Sequence, residues 1–516
     1  MLVTRDEICQ DPSFEALTDA ILERDQPRAT DLFFKMVARH GHSVGEALSV
    51  VTAAEAPFVQ VPSHINVRDG QITLINNDHT ILGLRTSVSL MGFVPEAYRL
   101  LPLLQSVWYI PAGLDIWNQL LGQYPGRYAM MKGLEVPPTG KDPVVWNADQ
   151  EPIVTSGTVE ERLHEHMIAT MSGDVKRSYG LYLGLAADEQ IRPRLRDQQL
   201  FLGIIDLQDT IIGRKARNTG HKALRARATT DLAKFIGWER AHGVYYIGVP
   251  DMAIGPLYYS IYDAACVTIT DAFEDAGKGL KQTNSEPLTP EESEEMVRLL
   301  MEADGQTIWD LITDHLRNGK SLKSLGDTIQ VGAAELILRT TVPRQFTNAQ
   351  HAFDYCNVVN YWFRTSDNPY QPRALYLMAN FVNDSARCNG LSTPVMEQEI
   401  APFDFSGRAA SELLTELDEA ILALDVPRTT AIANAYLKSG ACRKSYMATV
   451  AITACKFQDD PHNQKITHST FEEYCNNSTH MRERLLLATA RHLAGWVKMP
   501  GERECYERFM KEWINN

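Results

Sequence analysis

Two segments of this chain, 400 positions apart, are close to identical. Residues 20–30 read AILERDQPRAT and residues 420–430 read AILALDVPRTT, with seven of the eleven positions matching. A chain that repeats itself folds as related units, and a unit of this size buries its apolar face only against a neighbour. The match continues beyond the segments. Each copy reaches a glycine (Gly41, Gly440), then a helix of small residues (SVGEALSVVTAAEA, CRKSYMATVAITAC). A helix led by histidine follows, His79 in NDHTILGLRTSV and His468 in ITHSTFEEYCNN, and a leucine-rich helix closes the unit.

A third copy starts near EEMVRLLMEADGQTIWDLI, passes Gly319 and contains QHAFDYCNVVNYWFR, led by His351, and PRALYLMANFV. A fourth, diverged copy fills 158–275. In it RPRLRDQQLFLGIIDL reads as the closing helix, and no partner histidine is assigned. The expected units are therefore 1–135, 158–275, 289–400 and 408–516. The stretch 276–290 and the irregular 136–158 connect them.

Periodicity predicts helices throughout. Leu32, Phe33, Met36 and Val37 form one apolar stripe, and Leu413, Leu414, Leu417, Ile421 and Leu422 another. Thr289-Pro290-Glu291-Glu292 is a helix start, with a cap, a first-turn proline and an acid at the third position. One exception is INVRDGQITLIN, where an Asp-Gly pair between alternating apolar residues predicts a β-hairpin over 65–76. The expected fold is all-α: about four related helical-bundle units in a curved or closed array.

Composition removes several function classes. Fifty Lys+Arg against 65 Asp+Glu give a net charge of −15, so a broad phosphate-binding surface is not expected. No run of 18 apolar residues predicts a membrane span. Acids at 6, 7 and 11 occupy the place of a leader's apolar stretch, and the eight cysteines form no CxxC pair. The reading is a cytoplasmic protein without a zinc ribbon. GxGxxG and GxSxG are absent. HLRNGKS has Asp314 where a phosphate loop needs glycine, and His164-Glu165-His166 lacks the second histidine of HExxH.

The candidate site is the set of repeat histidines, His79, His351 and His468. Matched positions in a closed array can face one axis, where neutral imidazoles hold a divalent iron, copper or zinc ion or move protons. Each of them equally suits a helix cap or a polar spot in the core. His64 and His462, in the loops ahead of those helices, are candidate additional ligands. Glu161-x-x-His164 has the spacing of half a di-iron motif, without a second copy. His40 and His42 read as surface residues. The run RKARNTGHKALRAR, carrying Arg214, Arg217, Arg225 and Arg227, is either an anchor for an anionic substrate or a solvated helix face.

The motifs PRALYLMANFVND, HAFDYCN and ALSVVTAAEA resemble the histidine-bearing helical repeat region that follows the Rieske iron–sulfur domain in some bacterial proteins. More distantly, the chain resembles the all-helical questin-oxidase-like oxygenases. It lacks the CxH…CxxH pair, so it holds no Rieske cluster itself. The resemblance implies an oxidoreductase, oxygenase-like, acting on a small apolar or aromatic molecule. It implies non-haem iron or another divalent transition metal, and a redox partner protein. A non-catalytic helical-repeat scaffold that binds a protein partner is the alternative.

Overall fold

The computed structural model describes residues 2–56, 60–66, 71–76, 79–113, 151–207, 220–253, 257–341, 345–390, 403–405, 407–457, 461–496 and 503–514. Side chains are described in these ranges except at 60–66, 71–76, 112 and 113. The chain is built of helices. Twenty of them fall into four groups of five.

The first group is α1 (Glu15–Leu22), α2 (Gln26–Ala38), α3 (Val44–Glu55), α4 (His79–Leu90) and α5 (Leu101–Gly113). The second is α6 (Val159–Met171), α7 (Val175–Ala186), α8 (Arg192–Ile205), α9 (His221–Ile236) and α10 (His242–Gly248). The third is α11 (Pro290–Glu302), α12 (Gly305–Arg317), α13 (Leu322–Arg339), α14 (Phe346–Thr365) and α15 (Gln371–Cys388). The fourth is α16 (Ala410–Leu422), α17 (Val426–Lys438), α18 (Arg443–Ala454), α19 (His462–Asn476) and α20 (Glu483–Gly495). RPRLRDQQLFLGIIDL is thus the third helix of its group and not the closing one. Between α3 and α4 the backbone of Gln60–Asn66 pairs antiparallel with Gln71–Asn76; the Asp-Gly pair at 69–70 lies outside the described residues.

Local chemistry recurs from group to group. The second helix always starts on an aspartate whose side chain accepts from the backbone N–H three residues on: Asp25, Asp174, Asp304 and Asp425. Such a cap is worth about 1 kcal/mol. In three groups the residue before that aspartate turns left-handed, at Arg24, Gly173 and Leu424. The second helix ends at a left-handed glycine in groups one, three and four, at Gly41, Gly319 and Gly440, where a side chain would strain the backbone.

The fourth helices form the centre. α4 packs on α9, α9 on α14, α14 on α19, and α19 back on α4. Side chains at matching depths meet across this ring, so all four helices run in the same direction. The other helices surround it. Groups one and two meet where α3 crosses α10. There Gly243 lies so close to the α3 backbone that a methyl group would overlap the Thr52 carbonyl. Groups three and four meet along α13 and α20.

Among the described residues no helix is long and apolar enough to cross a membrane. None of the eight cysteines, all of them among the described residues, forms a disulfide. The Gly243 contact makes a prediction. Gly243→Ala forces α3 and α10 apart and lowers stability by about 1–3 kcal/mol in chemical denaturation, whereas exposed Gly279, with open space around it, tolerates alanine.

Candidate functional site

Three of the four central helices start on a histidine, and the fourth carries one in its second turn. The rings of His79, His221, His351 and His462 meet in a closed circuit at the N-terminal end of the ring of helices. Centroids lie 5.5 Å apart for His79–His221, 4.6 Å for His221–His351, 5.4 Å for His351–His462 and 5.0 Å for His462–His79. The interplanar angles run from 49° to 89°, so the rings meet edge to face. His351 and His462 are buried, and His79 and His221 partly so.

The expected histidines are therefore divided. His79 and His351 come together. His468 does not join them; it lies on α19 six residues past His462, about 9 Å further along the axis. His462, expected only as an auxiliary ligand, is the fourth group's member of the circuit. His64 lies on a strand whose side chains are outside the described residues. His221, the second group's member, was missed because it sits inside the basic run and reads as part of it. The signal was present: Gly220, left-handed at φ 77°, ends a loop immediately before a helix that begins on a histidine, as α4 does.

The protonation state follows from the surroundings. His351 holds the Thr347 carbonyl oxygen at its Nδ1, which places that ring's proton on Nδ1 and leaves Nε2 as the acceptor. His351 Nε2 then faces His221 Nε2 at 3.1 Å. Burial pushes His221 well below its ordinary pKa, and His351, Lys465, His79 and Arg225 push the same way. Four helix N-termini pointing at the rings act in the same sense. These influences favour the neutral form of His221.

Beneath the circuit the ring of helices is polar. One turn down, Leu82, Leu224, Asp354 and Lys465 enclose a cavity of ≈ 10 Å³, room for about one water molecule. Ser469 donates to Asp354 at 2.8 Å, and Lys465 Nζ stands 3.8 Å from the same carboxylate. Six residues below each histidine come Arg85, Arg227, Asn357 and His468. Arg85 donates to His468 Nδ1 at 3.0 Å, and Arg227 to Asn357 at 2.8 Å. Burial and the Arg85 charge hold His468 well below the usual imidazole range. Lower still, Asp231 accepts from Tyr361 at 2.9 Å and pairs with both arginines, and Arg227 grips Glu472 through two nitrogens.

The basic run is thereby resolved. Arg214 and Arg217 lie outside the described residues. Arg225 and Arg227 neither anchor an anion nor coat a surface: Arg225 pairs with Asp251, Arg227 with Asp231 and Glu472, and Lys222 with Asp206, all in the interior. The run holds no acid in sequence because its partners come from elsewhere in the chain. Glu161 serves the N-cap of α6, bonding the Thr158 backbone and hydroxyl, and His42 stacks on Phe14. The aromatics near 245 are core, with Tyr245 packed on Tyr182 and Tyr246 on Tyr179. A cleft of ≈ 730 Å³ lies between Val88, Met91, Phe235 and Arg99, about 15–20 Å along the helices from the histidines.

Among the described residues, no group of three or more His, Cys, Asp or Glu is placed so that it could hold a metal ion. The circuit can be set against the spacing an ion requires. With a metal–nitrogen bond of about 2.0–2.1 Å, two ligand nitrogens on one ion lie about 3 Å apart and their ring centroids about 4.5–5.3 Å. The His221–His351 nitrogens and two of the centroid separations, 4.6 and 5.0 Å, match those values, the other two, 5.5 and 5.4 Å, are longer, and neutral imidazole is the ligating form. Comparison with protein-family models, with curated proteins and with solved structures finds no match.

Two outcomes are expected. Arg227→Met leaves Asp231 with Arg85 alone and Glu472 with Arg364 alone, and costs up to about 3–5 kcal/mol in chemical denaturation. Acid also weakens the fold. His166 and His492 are held down to about 4 and about 3 by burial. The unfolded chain therefore binds more protons than the native state just below pH 6.5, and stability falls as pH drops from 7 to 4. In His166→Gln that slope is shallower, as measured by thermal melts across pH.

Proposed function

We propose that this chain is an oxygenase-like oxidoreductase holding a divalent transition metal, iron first, between His79, His221, His351 and His462. One observation carries the reading: four imidazoles from four separate helices meet in one closed circuit, with ring centroids 4.6 to 5.5 Å apart. Four neutral nitrogens suit iron, copper or zinc better than magnesium or calcium. When bound, a redox-active ion there supplies one-electron chemistry with dioxygen and polarises an oxygen-bearing substrate.

The chain's own residues prepare the centre. The Thr347 carbonyl sets the His351 tautomer so that Nε2 faces inward. Lys465, one turn below, disfavours protonation of His221. The buried ionic layer of Arg85, Arg227, Asp231 and Glu472 ties the four helices together below the histidines. We take the substrate class, a small apolar or aromatic molecule, and the redox partner from the sequence resemblance. We read the four groups of five helices, with their matched aspartate caps and histidines, as descendants of one ancestral unit.

Metal analysis tests the reading. Protein purified or reconstituted anaerobically with ferrous iron should carry about one ion per chain. At a free-ion concentration a hundredfold above Kd, that ion should add about 2.7 kcal/mol of stability. His221→Ala, His351→Ala and His462→Ala should lose the ion, and His468→Ala should keep it. If no iron, copper or zinc is taken up and the histidine variants melt like the parent, the chain is instead a non-catalytic helical scaffold for a protein partner.

A further inference from the structure

Five arginines are buried among the described residues. Arg85, Arg225, Arg227 and Arg339 each pair with a carboxylate. Arg373 does not. It is 5 % exposed, no acid among the described residues pairs with it, and its Nε and Nη1 donate to no group there. Its Nη2 donates to the Ala276 carbonyl at 3.4 Å, near the long limit for such a bond. Arg373 is also the third residue of α15, an 18-residue helix whose start carries partial positive charge, so dipole and side chain repel. A buried cation costs stability until an anion meets it.

The side chains around Arg373 are aromatic. Its guanidinium stands over the Tyr370 ring, 4.8 Å from the centroid, and Tyr370 is 39 % exposed. Phe201 packs on both Tyr370 and Tyr262 with centroids 5.7 Å apart, and the Arg373 charge reaches the Tyr262 hydroxyl. Tyr262 belongs to the helix Ser260–Ala272, which packs along α15. A strained turn covers the remaining side. Asp275, Ala276 and Gly277 are left-handed in succession, at φ 47°, 50° and 69°, and only the glycine takes that conformation freely. The turn is held by the Ala276 carbonyl on Arg373 and by an exposed Asp275–Lys278 pair at 3.3 Å. Backbone strain of this kind collects at ligand clamps. Nε and Nη2 form one edge of a guanidinium, the fork that a carboxylate accepts, and a shift of the turn away from Nη2 frees both donors.

We infer that Arg373, with Tyr370, Tyr262 and Phe201, forms a binding site for an aromatic carboxylate, with the turn at 274–277 folding over the bound anion. The carboxylate takes the place of the Ala276 carbonyl on Arg373 and meets the positive start of α15. The ring of the ligand lies against Tyr370 and Phe201. The site is separate from the histidines: Trp362, which packs on Phe201, lies on α14 eleven residues past His351, about 16 Å along the axis. The inference stands whether or not the histidines hold an ion.

Benzoate is the probe, with acetate as the anion without a ring and benzyl alcohol as the ring without a charge. Calorimetric titration of the full chain at pH 7 should show one benzoate site, with acetate about tenfold weaker and no measurable binding of benzyl alcohol. Arg373→Met should weaken benzoate by about tenfold or more. It should also melt no lower than the native chain, because it removes a buried charge that has no partner. Tyr370→Ala should weaken benzoate and leave acetate unchanged. An Arg373→Met chain that melts well below the native one, or does not fold, makes Arg373 a structural cation and overturns the inference. Equal benzoate affinity in the native chain and Arg373→Met overturns it too, as does benzyl alcohol binding as tightly as benzoate. So does a native chain that binds no benzoate at millimolar concentration.

Discussion

Four helices that run the same way repel one another. Each carries about half a positive charge at its N-terminus and half a negative charge at its C-terminus, and in a parallel ring these ends gather. Everything at the centre of this molecule answers that constraint. In the last turn of α14 lies Arg364, a cation placed where the dipole is negative, while Arg85 and Arg227 stand at mid-helix on α4 and α9. They are in turn bridged by Asp231, Glu472 and Glu473, each from a different helix than its arginine or a turn away from it. A layer of this kind fixes register. Sliding one helix past another would leave several buried charges unpaired at once, a far larger loss than any single apolar contact.

The opposite end of the ring answers the same field differently. There the dipoles are positive, and the groups set against them are bases. A cationic imidazole would be repelled by four helix starts, by Lys465 and by its neighbours, while a neutral one is not. The architecture therefore does not merely bring four histidines together. It also favours the neutral form of His221 and keeps the space one turn below to molecular size.

How much of this was legible in the sequence depends on what each residue is compared with. The helical groups were readable because their signals are local: an aspartate cap, a glycine at a helix end, apolar residues at three- and four-residue spacing. His79 and His351 were readable by alignment of the copies. His468 was preferred because it was read as leading its helix, with His462 in the loop ahead; the helix in fact starts six residues earlier, on His462. His221 was hidden by its cationic neighbours. The arginines were misread for a reason sequence alone does not repair: Arg227 finds its acid 245 positions away at Glu472, so its run shows charge without showing that the charge is already matched. No periodicity announces Arg373, whose peculiarity is that no acid among the described residues meets it.

The circuit of imidazoles draws one ring from each quarter of the polypeptide, and this governs the order of events at the ribosome. The first three can be synthesised, folded into their own helices and packed together, and the enclosure still has an open side until α19 arrives. A chain ending before His462 has most of its architecture and none of its centre. The enclosure closes only when α19 packs against α4 and α14, so the last quarter of the chain decides whether the circuit forms.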